Sequence, residues 1–162
     1  MTAYTNMDSP IGRLLIAGEA DCVRVVAFTE GYKAWQPAAD WRRDAAPLKT
    51  AIEQLRAYFA GELSRFDLDL DPPGTAFQQC VWTALGHIPY GETRTYGELS
   101  KEIGRPRAAR AVGAANGANP LVVMVPCHRL VGADGSLTGF GGGIAAKAWL
   151  LDLEAKGLKR SV

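Results

Sequence analysis

The chain has 162 residues, 48% of them apolar and 22% charged, with a formal net charge of +1. This is the composition of a soluble protein built as one compact unit or as two small domains sharing a core. No apolar run approaches the roughly 20 residues of a membrane span, Met1 to Pro10 lacks the pattern of a secretory signal, and three cysteines and two histidines without ligand spacing argue against a disulfide scaffold or a metal site and for a reducing, cytoplasmic compartment.

The N-terminal part reads as strands and one helix. Ile11 to Ile16 and Val23 to Phe28 are β-rich runs separated by Gly18-Glu19-Ala20-Asp21, which predicts a hairpin. Leu48, Ile52, Leu55 and Phe59 recur at helical spacing, with Gly61 as the stop. Phe66, Leu68 and Leu70 alternate with Asp67, Asp69 and Asp71, as on a strand with one wet face. Asp71-Pro72-Pro73-Gly74 breaks the pattern and is taken as the boundary between a domain of residues 1–72 and one of residues 73–162.

The second part reads as mostly helical. Thr75 and Gln78 have capping-box spacing, and Phe77, Val81 and Leu85 line one face of the helix they open. Thr95 and Glu98 repeat the capping pattern for a short helix ending at Gly104. After a turn at Arg105-Pro106, a second helix is expected from Arg107 to Asn116. Two short helices joined by a tight turn form a helix-turn-helix. A last helix is expected from Ile144 to Lys156, stopped by Gly157. Charge is unevenly placed: residues 1–72 carry 8 Lys/Arg against 11 Asp/Glu, and residues 73–162 carry 10 against 6. A polyanionic partner would therefore meet the second half.

Val125-Pro126-Cys127-His128-Arg129 follows Leu121-Val122-Val123-Met124, an apolar run expected to be buried. A thiol emerging from such a run beside an imidazole is a candidate nucleophile. The reactive form is the thiolate, so a base such as His128 is needed to generate it at neutral pH. A structural cysteine beside a capping histidine is the other reading these residues leave open. The second helix of the helix-turn-helix is rich in Ala, Gly and Val, with Arg110 as its one long interior residue. That suits a narrow groove with little sequence readout, although small residues also permit plain helix packing.

Pro126-Cys127-His128-Arg129, with Asn119-Pro120 before it and Gly139-Phe140-Gly141-Gly142 after it, resembles the O6-alkylguanine-DNA alkyltransferases. The resemblance extends through Ile88 to Thr93, Thr95 to Leu99, Ala108 to Gly113 and Trp149 to Glu154, and more loosely through Ser9 to Gly12 and Ala57 to Gly61. It implies an α+β fold: a small N-terminal antiparallel sheet with a helix, ribonuclease H-like, followed by a helical, winged-helix-like domain. It also implies irreversible, single-turnover transfer of a methyl group from O6-methylguanine, and from O4-methylthymine, to Cys127, with no cofactor and no metal. Glu154 would orient His128, which acts through a water on the thiol, and the last helix must pack against the site for Glu154 to reach it.

By the same resemblance Tyr96 donates to the base, Asn119 braces the turn before the Cys segment, and Arg110 fills the stack vacated by a flipped nucleotide. Tyr96, Gly97, Arg105 and Arg110 would meet DNA, and Tyr96, Val125, Leu130, Phe140 and Gly141 would line the base pocket. Phe140 stands where many members have Tyr, and Gly141 where some have Ser. Lys147 is similar to a basic residue near the family site, though a solvated position fits it as well. Cys22 and Cys80 are read as packing residues. The implied partner is double-stranded DNA carrying O6-alkylguanine, bound by a monomer with little sequence preference; cooperative assembly on DNA stays open. A Cys-His-Glu hydrolase and a non-catalytic alkylated-DNA binding protein are the rival readings.

Overall fold

The computed structural model describes residues 1–20, 22–31 and 33–159. Its first half is a five-stranded sheet in the order β4-β1-β2-β3-β5, formed by β1 (Ala3–Met7), β2 (Leu14–Glu19), β3 (Cys22–Phe28), β4 (Arg42–Arg43) and β5 (Asp69–Leu70). The expected hairpin is β2–β3, with Leu14 opposite Phe28 and Glu19 opposite Cys22. Asp21, at its expected turn, lies outside the described residues. The strand begins at Leu14 rather than Ile11, because Gly12 adopts φ 120 in a turn that Ser9 closes through its backbone and hydroxyl.

The sheet is mainly antiparallel, as the resemblance implied. Its three central strands are, but β4 and β5 pair in parallel with β1 and β3. Parallel pairing needs a crossover connection, and the helix α1 (Lys49–Phe59) lies between these two edge strands in the chain. Of the alternating run from Phe66 to Leu70, only Asp69 and Leu70 join the sheet; Phe66 and Leu68 pack half-buried against the core. α1 buries Ala51, Leu55 and Tyr58, a face rotated slightly from the expected one, with Ile52 and Phe59 only partly covered.

The second half contains α2 (Ala76–Gly86), β6 (Arg94–Thr95), α3 (Tyr96–Glu102), α4 (Ala109–Gly117), β7 (Leu130–Val131) and α5 (Ile144–Ala155). Both capping boxes are formed: Thr75 and Gln78 open α2, and Thr95 and Glu98 open α3, each pair exchanging side-chain and backbone hydrogen bonds. α3 and α4 are the helix-turn-helix. α4 starts two residues after the expected position, because Arg105 to Ala108 form a turn in which Ser100 Oγ caps both ends, bonding Arg105 O and Ala108 N–H. β6 and β7 pair in parallel and tie the start of α3 to the segment after Cys127.

One continuous core runs through both halves, from Met7, Leu14 and Ile16 through Leu55, Val81 and Leu85 to Val112, Leu121 and Leu150. Burying each such aliphatic side chain contributes about 1.5–3 kcal/mol. A second, smaller cluster lies on the other face of the sheet, where Tyr4, Trp35 and Trp41 cover Ala17, Val25 and Ala27. Among the described residues, no helix is long and apolar enough to cross a membrane.

Candidate active site

The segment that carries Cys127 is held against the first half of the chain. Val26 on β3 donates its N–H to Pro120 O at 2.8 Å and accepts from Val122 N–H at 2.9 Å. Leu121 to Met124 are all buried, as expected. Val123 has φ 71 inside a tight turn closed by Met124 N–H to Val122 O at 2.8 Å. A β-branched residue in that region costs on the order of 1–3 kcal/mol and persists only where the surroundings impose it.

Asn119 supplies part of that constraint. Its Nδ2 donates to Val125 O at 2.9 Å and Leu121 O at 3.3 Å, and its Oδ1 accepts from Leu121 N–H at 2.9 Å. One side chain thus closes the loop at three points. A short 3-10 turn, Cys127–Arg129, then presents three consecutive buried functional side chains.

Glu154 reaches this turn from α5 and is buried. His128 Nε2 lies 2.8 Å from Glu154 Oε2. Arg129 forks onto the same carboxylate, Nε to Oε1 at 2.8 Å and Nη2 to Oε2 at 2.9 Å, and its Nη1 donates to Ile88 O at 2.6 Å. Tyr58 donates its hydroxyl to Glu154 Oε2 at 2.5 Å, and Gly91 N–H donates to Oε1 at 3.3 Å. Burial alone would raise the Glu154 carboxyl, but the hydrogen bonds from His128 and Arg129 outweigh it and hold the pKa at about 2.

An ionised carboxylate can only accept, so His128 carries its proton on Nε2 and keeps a lone pair on Nδ1. That Nδ1 is buried and has no hydrogen-bond partner among the described residues. Burial lowers the His128 pKa against the opposing pull of Glu154. The imidazole is therefore neutral and available as a base. Burial likewise raises the Cys127 thiol; a hydrogen bond from Asn119 and the Lys147 and Lys33 ammonium groups pull it back only in part.

Cys127 is 4% exposed, yet it lines a cavity of about 410 Å³ together with Asn116, Asn119, Val122, Phe140 and Gly141. Gly117, Ala118 and Gly139 add to that lining, and the facing wall comes from the first half of the chain: Ala27, Phe28, Lys33, Ala34 and Trp35. A second cavity of about 420 Å³ shares Lys33, Gly117 and Gly139–141 with the first and adds Tyr96, Arg110, Gly113 and Thr138. Both fall within the roughly 300–1,000 Å³ of small-molecule sites. Tyr96 is half-buried, with its hydroxyl 2.6 Å from Thr138 Oγ1. Arg110 is exposed on α4, and Gly97 lies in the first turn of α3.

Some expected site residues stand elsewhere. Val125 and Leu130 are buried in the core and line neither cavity; their carbonyls serve Asn119 and Lys147 instead. Arg105 stands exposed at the turn, with its guanidinium 5.5 Å over the Phe77 ring. Lys147 is not solvated but fully buried, donating to Leu130 O at 2.5 Å and Thr138 O at 3.0 Å. Cys80 is exposed on α2 rather than packed, and Cys22 is half-buried. Sequence reading gave no role to Tyr58, Lys33 or Asn116. Lys33 donates from the sheet side to Gly117 O at 2.6 Å, and Asn116 Nδ2 reaches Cys127 O at 3.4 Å. No group of His, Cys, Asp or Glu among the described residues is arranged to hold a metal ion.

A buried thiol with a neutral imidazole and a fixed carboxylate, opening to a cavity beside a helix-turn-helix, defines a protein of the cysteine-nucleophile class. Residues 2–72 match the ribonuclease-like domain, and residues 76–156 the DNA binding domain, of 6-O-methylguanine DNA methyltransferase. The chain belongs to that family.

A methylated-DNA–protein-cysteine methyltransferase of Methanosarcina acetivorans is 50% identical over 93% of this chain and 97% of its own length. The protein of the same name from Mycobacterium tuberculosis is 52% identical over 95% of this chain and 93% of its own. The crystal structure of the Mycobacterium tuberculosis O6-methylguanine methyltransferase superposes with a TM-score of 0.91 at 50% identity, covering 99% of this chain and 97% of that one. The same relative in complex with DNA superposes with a TM-score of 0.89 at 51% identity, covering 95% and 93%.

Proposed function

We propose that this protein repairs DNA by transferring the methyl group of O6-methylguanine to its own Cys127, once per molecule. The observation that carries the reading is the opening of Cys127 into a cavity large enough for a nucleobase, next in the chain to a His128 that is paired with Glu154. The relatives' printed names and the relative's complex with DNA support the substrate and the partner.

In this reading Tyr96, Gly97, Arg105 and Arg110 of the helix-turn-helix face meet the duplex. A base inside a duplex cannot reach a buried thiol, so the damaged nucleotide is swung out and Arg110 takes its place in the stack. The base then lies between Tyr96, Phe140 and the Gly141 backbone. Cys127 Sγ passes its proton through a water to His128 Nδ1, whose lone pair Glu154 keeps available by holding Nε2–H. The sulfur bonds to the methyl carbon, and the C–O6 bond breaks with its electron pair left on the base.

A hydrogen bond from the Tyr96 hydroxyl offsets that charge. The base then takes up a proton, so that in net terms the thiol hydrogen and the methyl group exchange places. A thioether is not a substrate for hydrolysis by this site, so the protein reacts once. The domain of residues 73–162 carries the reacting groups, and the domain of residues 1–72 supplies the far wall of the cavity. The chain acts as a monomer, in the compartment that holds chromosomal DNA.

The test is intact mass before and after incubation with an O6-methylguanine duplex. One methyl is expected on Cys127 and none on Cys127→Ala. Arg110→Ala should slow reaction with duplex more than with the free modified base. An unmodified wild-type chain, or repeated turnover on an acyl ester, would sink the reading.

A further inference from the structure

Tyr58 belongs to α1, in the ribonuclease-like half, and is fully buried. Its ring packs against Phe59, Phe66 and Tyr90 at centroid distances of 5.6, 5.5 and 6.2 Å. A buried phenol needs a partner for its hydroxyl, and a backbone carbonyl would serve. Here the partner is instead Glu154 Oε2, the oxygen that also accepts His128 Nε2–H.

We propose that Tyr58 is a positioning residue for thiol activation: through one hydroxyl, the ribonuclease-like half fixes the carboxylate oxygen that sets the tautomer and aim of His128. The inference rests on the reading of Cys127 as the methyl acceptor.

The groups that face Glu154 come from three elements. They are Tyr58 on α1, Tyr90 and Gly91 N–H after α2, and His128 with Arg129 on the 3-10 turn. Arg129 clamps both oxygens. Around Oε2, Tyr58 and Arg129 Nη2 share the acceptor with His128. Burial first, and the negative Glu154 second, raise the Tyr58 phenol, so it stays protonated and donates.

Deleting that hydroxyl has two consequences. The carboxylate loses one of its restraints, so the imidazole is aimed less well. Its charge is also less dispersed, so it stabilises imidazolium more strongly, and His128 takes up a proton at higher pH. A residue that merely fills space would change neither.

The experiment is single-turnover methyl transfer from an O6-methylguanine duplex, followed across pH for wild type, Tyr58→Phe, Glu154→Gln and the double variant. Tyr58→Phe is expected to react about tenfold more slowly, with the acid limb of its rate profile moved to higher pH. In the Glu154→Gln background, Tyr58→Phe should have no further effect, because the two act through one atom. Site-specific 3-fluorotyrosine at position 58 serves if Tyr58→Phe does not fold: a more acidic phenol is a stronger donor, and the acid limb should move to lower pH.

An unchanged rate and limb in either variant, or an equal effect of Tyr58→Phe with and without the Glu154 carboxylate, overturns the proposal. A wild-type chain that never gains a methyl overturns the transfer reading itself, and this inference with it.

Discussion

At the scale of the residue, the proposed nucleophile rests as a thiol rather than as an anion. Burial raises the Cys127 pKa, and Asn119, Lys147 and Lys33 offset only part of that. The unfolded chain has no such burial, and its thiol ionises near pH 8.5. Above that pH the folded protein binds the Cys127 proton and the unfolded one does not, so stability falls as pH rises, until the folded thiol itself ionises. The slope is about 1.4 kcal/mol per pH unit.

Urea unfolding of wild type and Cys127→Ala should therefore run parallel up to pH 8 and diverge above it, with wild type losing more. Cys22 and Cys80 are common to both chains, so the divergence isolates Cys127. Parallel curves up to pH 10 would mean that the thiol ionises alike in the folded and unfolded chains, so that burial does not hold its proton.

At the scale of the element, what the sequence disclosed depended on how local the signal was. Thr75 with Gln78 and Thr95 with Glu98 are three residues apart, and both helices begin where those pairs stand. The hairpin partners Leu14 and Phe28 were legible from two short β-rich runs. The strand β1 and the two-residue strands β4, β6 and β7 have no pattern of their own; they exist because neighbouring segments offer free backbone groups. α1 was assigned a face of purely apolar residues, yet the fold turns Tyr58 inward, because its acceptor lies on α5. Val125 and Leu130 flank the Cys turn in sequence, but the positive φ of Val123 and the following 3-10 turn rotate them into the core.

The loop of Gly139 to Gly143 is similarly set by a distant contact. A Cβ on Gly142 would lie 2.3 Å from Phe28 Cζ. Phe28 is buried and stacked edge-on against Phe140 at 5.7 Å, so its ring has little room to yield. Gly142→Ala should cost about 1–3 kcal/mol in urea unfolding, as overpacking does. It should also slow methyl transfer, since Phe140 and Gly141 wall both cavities. Unchanged stability would show that the loop moves freely against β3.

At the scale of the whole molecule, the two halves divide the work by charge while sharing one core. Residues 73–162 carry a net positive balance and residues 1–72 a net negative one, 10 Lys/Arg against 6 Asp/Glu and 8 against 11. Arg105, Arg107 and Arg110 are exposed around the turn and second helix of the helix-turn-helix. If phosphate contacts anchor the protein, each neutralised phosphate releases counterions, and the logarithm of the binding constant falls linearly with that of salt, by about 0.9 per contact.

Duplex affinity should therefore drop steeply with added salt and vary little with sequence. Arg107→Ala should weaken binding to all sequences alike and reduce the salt slope by about 1. Lys49→Glu, at an exposed position in the first turn of α1 in the acidic half, should leave the slope as it was. The measurement is fluorescence anisotropy of an unmodified duplex at several salt concentrations. A slope that Arg107→Ala leaves intact and Lys49→Glu reduces would place the duplex on the ribonuclease-like half. The cavity beside Tyr96 and Arg110 could then not receive a base swung out of that duplex.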